Sequence, residues 1–175
     1  SYELDFWGKN RAGFNAALSR QDAAAADTHA AQNLLASAVV RSYLNLQNAF
    51  AQHQVLEKVL EQRSEVLKLT RGRFDAGLDT QVEVKQAESA LAAAQVELTQ
   101  IETTTAQLRN QLAALSGAGP QRGHEIKPAQ LTAPAGLVPD SIPLELLARR
   151  PDVLAARLRA QASQREIDAA KAAFY

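Results

Sequence analysis

The sequence predicts an all-α fold: a long antiparallel helical hairpin of coiled-coil type, a shorter helix stacked end to end on its second arm, and an irregular Pro/Gly-rich connector between them. Three observations carry this. All six prolines lie at or after Pro120, so the first two-thirds of the chain contains no residue that would break a helix. Apolar residues recur there every seven positions. A single break, Arg71-Gly-Arg-Phe-Asp-Ala-Gly-Leu-Asp-Thr-Gln-Val-Glu-Val-Lys-Gln-Ala87, separates two long helix-forming runs.

The first helix is expected from about Arg11 to Asp75, and residues 76–79 form its turn. Gly77 stands where a helix needs a left-handed residue to stop. Thr80 then caps the second helix, and Glu83 three residues on completes a capping box. That helix runs over 80–116, with Gly117 as its stop. Residues 117–143, rich in glycine and proline, form the connector, with one short extended piece around Glu125 to Leu131. Over 144–174 a short helix, Leu144 to Arg149, precedes a final one that Pro151 opens and that ends near Phe174. The whole of 1–175 is expected to be one α-helical domain.

In the second helix Val84, Leu91, Leu98, Thr105 and Leu112 repeat at seven-residue spacing, and Ala87, Ala94, Ile101, Leu108 and Leu115 repeat three positions behind them. The first helix carries Val39, Leu46, His53, Leu60, Leu67 and Phe74 at the same spacing. Alanines flank these seams densely and permit close approach on more than one side. At ~1.5 Å per residue the first helix spans on the order of 95 Å and the second about 55 Å. The unpaired part of the first helix, with Leu34, Leu35, Val39, Val40 and Tyr43, therefore needs a cover. The last helix, roughly 35 Å long, is expected to supply it, returning Tyr175 to the level of Ser1 on the order of 100 Å from Gly77.

Composition narrows the function classes. The 175 residues are 46% hydrophobic but only 5% aromatic, so the core is expected to be thin and built from alanine and leucine. Net charge is zero, which gives no electrostatic reason to expect a nucleic-acid partner. Absence of cysteine removes disulfides and thiolate chemistry. No apolar run approaches the ~20 residues of a membrane-spanning helix, and no basic-then-apolar secretion signal opens the chain, so it is expected to be soluble by itself. His53 lies in a seam, and His29 and His124 are isolated. None has a second ligand at helical spacing, so no metal site and no cofactor are expected. Gly117-Ala-Gly119 follows a helix rather than a strand, unlike a phosphate-binding loop. Nucleophile, base and orienting group do not cluster, and an enzyme is not expected.

Ser1-Tyr-Glu-Leu-Asp-Phe-Trp-Gly-Lys9, Arg73-Phe-Asp-Ala-Gly-Leu78 with Val82-Glu-Val84, and Leu147-Ala-Arg-Arg-Pro-Asp-Val153 through Ala170-Lys-Ala-Ala-Phe-Tyr175 carry a resemblance over nearly the whole chain. They resemble the TolC-like outer-membrane efflux factors, especially the NodT-type members. Arg157 and Asp168 depart from the family pattern, where many members have glutamate and glycine. The resemblance implies the periplasmic part of one repeat, between two strands of a β-barrel, in a Gram-negative outer membrane. It implies a homotrimeric conduit for small molecules, served by a periplasmic adaptor and, through it, an inner-membrane pump.

In that reading Gly77 and Leu78 match the family's tip and are the candidate adaptor contacts, with Thr80 capping the turn. Glu83 matches an acidic position that links neighbouring hairpins and is a candidate gate link, while Asp75 and Asp79 add candidate charge at the mouth. Plainer roles stand beside these. Gly77 also serves as a simple helix stop, and Glu83 as a capping-box residue. Gly72 implies close packing or bending near the tip. Phe6 and Trp7 suit either a membrane interface or the packed start of a helix. Two other classes remain open: the hairpin of an efflux adaptor, which should carry flanking β-rich halves, and a coiled-coil scaffold without a transport role.

Overall fold

The computed structural model describes residues 5–129, 146 and 148–174. The helices bounded there are α1 (Lys9–Asp75), α2 (Gln81–Leu115), α3 (Pro120–His124) and α4 (Pro151–Ala172), and Leu146 and Ala148 are helical as well. The described residues contain no strand, and no helix among them is long and apolar enough to cross a membrane. The chain divides into two compact units, one drawn from Ser1–Ala36 and Pro134–Tyr175, the other comprising Ser37–Ala133.

In the second unit α1 and α2 form the antiparallel hairpin. His53 faces Glu102 near the middle and Arg71 faces Glu88 near the turn, so later residues of α1 meet earlier residues of α2. Their heptad positions make the core. Leu46, Phe50 and Leu112 form one cluster, with Val39, Tyr43, Leu108 and Ile126 against it. Ala49, Leu98 and Ile101 form another, bordered by Leu56 and Leu60. Leu46 is fully buried, and such burial of a leucine contributes on the order of 2–3 kcal/mol. Thr105, buried in the seam, donates its hydroxyl to the Ile101 carbonyl at 2.8 Å and so leaves no unsatisfied polar group there.

In the first unit α4 runs antiparallel to the start of α1. Arg20 pairs with Glu166, and one heptad further along α1, Asp27 pairs with Arg159, one heptad back along α4. Between these rims lie Ala16, Ser19, Ala23 and Ala26 of α1 and Ala155 and Ala162 of α4, all buried. Small side chains let the two backbones approach closely. The expectation that the last helix covers the leucines is corrected here: Leu34 is 73% exposed, and Leu35 is exposed too. What α4 covers is the alanine face, because the register set by the two ion pairs brings alanine, and not leucine, opposite alanine.

The connector also differs from expectation. Residues 120–124 are helical, because Pro120 supplies the fixed φ of a first helical turn and extended Gly119 precedes it. Of the short helix expected at Leu144–Arg149, Leu146 and Ala148 are described and are helical, while its other residues up to Leu147 and the connector from 130 to 143 lie outside the described residues. α1 begins at Lys9, two residues before the expected start. Gly8, at φ 76°, turns the chain into it, and the Asp5 carboxylate accepts the Arg11 amide at 2.9 Å.

Candidate functional site

The turn between α1 and α2 collects Asp75, Gly77, Leu78, Asp79, Thr80 and, in the first turn of α2, Glu83, the candidate docking, gate and mouth residues. α1 ends in a Schellman motif. Gly77 has φ 73°, its amide donates to the Phe74 carbonyl at 2.9 Å, and the Leu78 amide donates to the Arg73 carbonyl at 2.9 Å. A Cβ at Gly77 would meet no atom within 4 Å, so what requires glycine is the backbone angle and not space. α2 begins at once. Thr80 Oγ1 accepts the Val82 amide at 3.2 Å, and the Glu83 carboxylate accepts both the Thr80 amide, at 2.9 Å, and the Thr80 hydroxyl. This is the expected capping box.

Part of the charge at the turn is paired within the hairpin. Arg73 donates from Nε and Nη2 to the two oxygens of Asp79, at 2.8 and 3.0 Å, leaving the Asp79 side chain 17% exposed. The Arg73 guanidinium holds the Asp79 carboxyl below the usual carboxylate range, and Asp79 raises Arg73 in turn. The Thr80 hydroxyl lowers Glu83 in the same way. One turn along α2, Glu88 accepts from Lys85 and from Arg71 across the hairpin, at 2.8 Å each, and is likewise lowered. Of the two candidate mouth charges, Asp75 stays exposed and has no ion pair among the described residues. The apolar side chains point outward instead, with Leu78 69% and Val82 60% exposed and Phe74 partly so. The turn therefore exposes apolar side chains beside the carboxylates of Asp75 and Glu83, neither of which has a cationic partner among the described residues.

Sequence reasoning found the backbone devices but missed Arg73, Arg71 and Lys85 as partners, although the i, i+6 spacing of Arg73 and Asp79 across a glycine turn was visible. Gly72 does not mark close packing, since a Cβ there would meet nothing within 4 Å. His53 lies between two carboxylates, Nδ1 3.6 Å from Glu57 and Nε2 3.6 Å from Glu102. Glu57 is at helical spacing from His53, i and i+4, which corrects the expectation that no second ligand group lies there, but the two carboxylates sit at opposite ring nitrogens and do not converge on one point. Phe6 is 79% and Trp7 65% exposed, so neither is buried against the start of α1.

Residues 1–118 match the family model described as outer membrane efflux protein. The chain is 44% identical, over 177 aligned residues, to the fusaric acid resistance protein FusA of Burkholderia cepacia, covering all of this chain and 33% of that protein. It is 32% identical to the multidrug resistance outer membrane protein MdtP of Escherichia coli K12, covering 99% of this chain and 36% of that one. The outer membrane protein VceC of Vibrio cholerae superposes with a TM-score of 0.89 at 34% identity, over 99% of this chain and 41% of its own. The chain thus spans about a third of the length of the curated relatives it matches. A family model matched over 118 of 175 residues, with relatives aligned along the whole chain, places this protein in the outer membrane efflux protein family.

Proposed function

We propose that this chain is the periplasmic α-helical segment of a homotrimeric outer-membrane channel, which conducts small molecules out of a Gram-negative cell as part of a tripartite efflux pump. In this reading the turn at Gly77 and Leu78 docks a periplasmic adaptor, and the adaptor joins the channel to an inner-membrane pump. The observation that carries it is the hairpin end itself. A turn stiffened by a Schellman motif, a capping box and a bidentate ion pair presents Leu78 to solvent instead of burying it. Family membership and the outer-membrane names of the relatives favour a channel over an adaptor hairpin or a scaffold. Glu83 serves as cap and, in an assembled mouth, as a link to the neighbouring hairpin. Asp75 contributes charge there, while Asp79 is committed to Arg73 in this conformation.

The test uses the full-length channel. Gly77→Val forces a β-branched residue into positive φ at a local cost of about 1–3 kcal/mol, distorting the turn while leaving the seams intact. Efflux-dependent resistance should fall at wild-type abundance, and Gly77→Asn, which tolerates the left-handed region, should lose less. Glu83→Ala should raise closed-state conductance in planar bilayers with export partly retained. Normal resistance with Gly77→Val would remove the turn from docking, and unchanged conductance with Glu83→Ala would leave that residue only its cap.

A further inference from the structure

At the end of the hairpin away from the turn, the chain leaving α2 crosses back over both helices through contacts that no sequence motif announced. α3 packs on α2 at Gly123, which is buried. A Cβ there would lie 2.5 Å from the Arg109 carbonyl oxygen and 2.8 Å from its carbon, so only glycine lets the two backbones touch. The segment that follows reaches α1. Gln47, 6% exposed in the core, accepts the Ala129 amide on Oε1 at 2.7 Å and donates Nε2 to the Lys127 carbonyl at 3.4 Å. One buried amide thus holds the backbone on both sides of Pro128, accepting from one amide and donating to one carbonyl. Between these two anchors Arg109 of α2 lies 5.0 Å over the Phe50 ring of α1 and donates to the Ile126 carbonyl at 3.5 Å, while Ile126 packs on the Leu46–Phe50–Leu112 cluster.

Almost every polar contact here is made to backbone, so the side chains of Lys127 and Pro128 are not what is recognised. We infer that Gly119–Ala129 is a clasp, seated on α2 through Gly123 and on α1 through Gln47, that fixes the register of the two arms at their open end. A short turn alone fixes register poorly far from itself. A heptad seam of alanine and leucine also tolerates a shift by one repeat, since the shifted seam again meets alanine and leucine. Gln47 removes that freedom: slipping α1 against α2 would carry its buried amide away from Lys127 and Ala129 and leave it unsatisfied.

Amide hydrogen exchange on the 175-residue chain tests this. In the wild type the Ala129 amide should be protected. Gln47→Leu should speed its exchange by roughly tenfold or more and speed exchange at the open end of the hairpin, around Leu46 and Leu112. Near the Arg71–Glu88 pair it should change little. Gln47→Glu keeps an acceptor for Ala129 but loses the donor to Lys127, and should fall between. Gly123→Ala, which displaces α3 from the Arg109 backbone, should produce the same local pattern and serves if Gln47→Leu does not fold. Unprotected Ala129 in the wild type, or an equal rise in exchange along the whole hairpin in the variants, would overturn the clasp.

Discussion

Thr80 and Glu83 show how much a turn depends on two side chains. Removing the Thr80 hydroxyl leaves the Val82 amide without its acceptor, and Thr80→Ala should lower the stability of α2 by about 1 kcal/mol, read as an earlier loss of helical circular dichroism on heating. Acid should act on the same residues. Glu83 and Asp79 both titrate lower in the folded chain than in the unfolded one, the first held by the Thr80 hydroxyl and the second by Arg73. The unfolded chain therefore binds protons first as pH falls, so the stabilisation these carboxylates add is fully present above about pH 5 and is lost progressively below about pH 4. Glu83→Gln, which keeps a capping acceptor but does not titrate, should flatten part of that acid dependence. Equal acid sensitivity in the variant and the wild type would remove Glu83 from it.

At the scale of the helix, two kinds of seam are at work. In the hairpin, branched and aromatic side chains fill the space between α1 and α2, and substitutions to smaller residues should open cavities. Between α4 and the start of α1 the contact is alanine on alanine, where the danger is the reverse. Ala162 is 2% exposed, and Ala162→Leu should overpack that contact at a cost of about 1–3 kcal/mol. Leu34→Ser, at a position 73% exposed, should change stability by no more than about 0.5 kcal/mol. Thermal unfolding of the two variants compares them directly. A large loss with Leu34→Ser and none with Ala162→Leu would mean that the leucine stripe is the covered face after all.

For the molecule as a whole, Val40, Leu44, Val55 and Leu69 leave apolar surface exposed along α1, which under the proposed function would face neighbouring hairpins. Alone, the 175-residue chain is expected to be monomeric, with a mass near 18.9 kDa, or only weakly associated. Light scattering at low micromolar concentration measures this, and a tight trimer would show that these helices close a tube without help from the rest of a longer protein.

The sequence by itself determined whatever depends on near neighbours. The helices, the left-handed stops at Gly77 and Gly117 and the capping box at Thr80 and Glu83 each rest on contacts within a few residues, and all were legible. So were the heptad positions that became the hairpin core, because a repeat of seven puts them on one face whatever they meet. Only the tertiary structure decided which face met which partner. It paired Asp79 with Arg73, turned α4 onto the alanines instead of Leu34 and Leu35, and brought Gln47 to a backbone eighty residues on. A periodic pattern says that a face is buried but not by what. A buried glutamine or a close-packed glycine is recognisable only when the distant backbone it serves is in place, because its partner is a carbonyl or an amide that every residue carries.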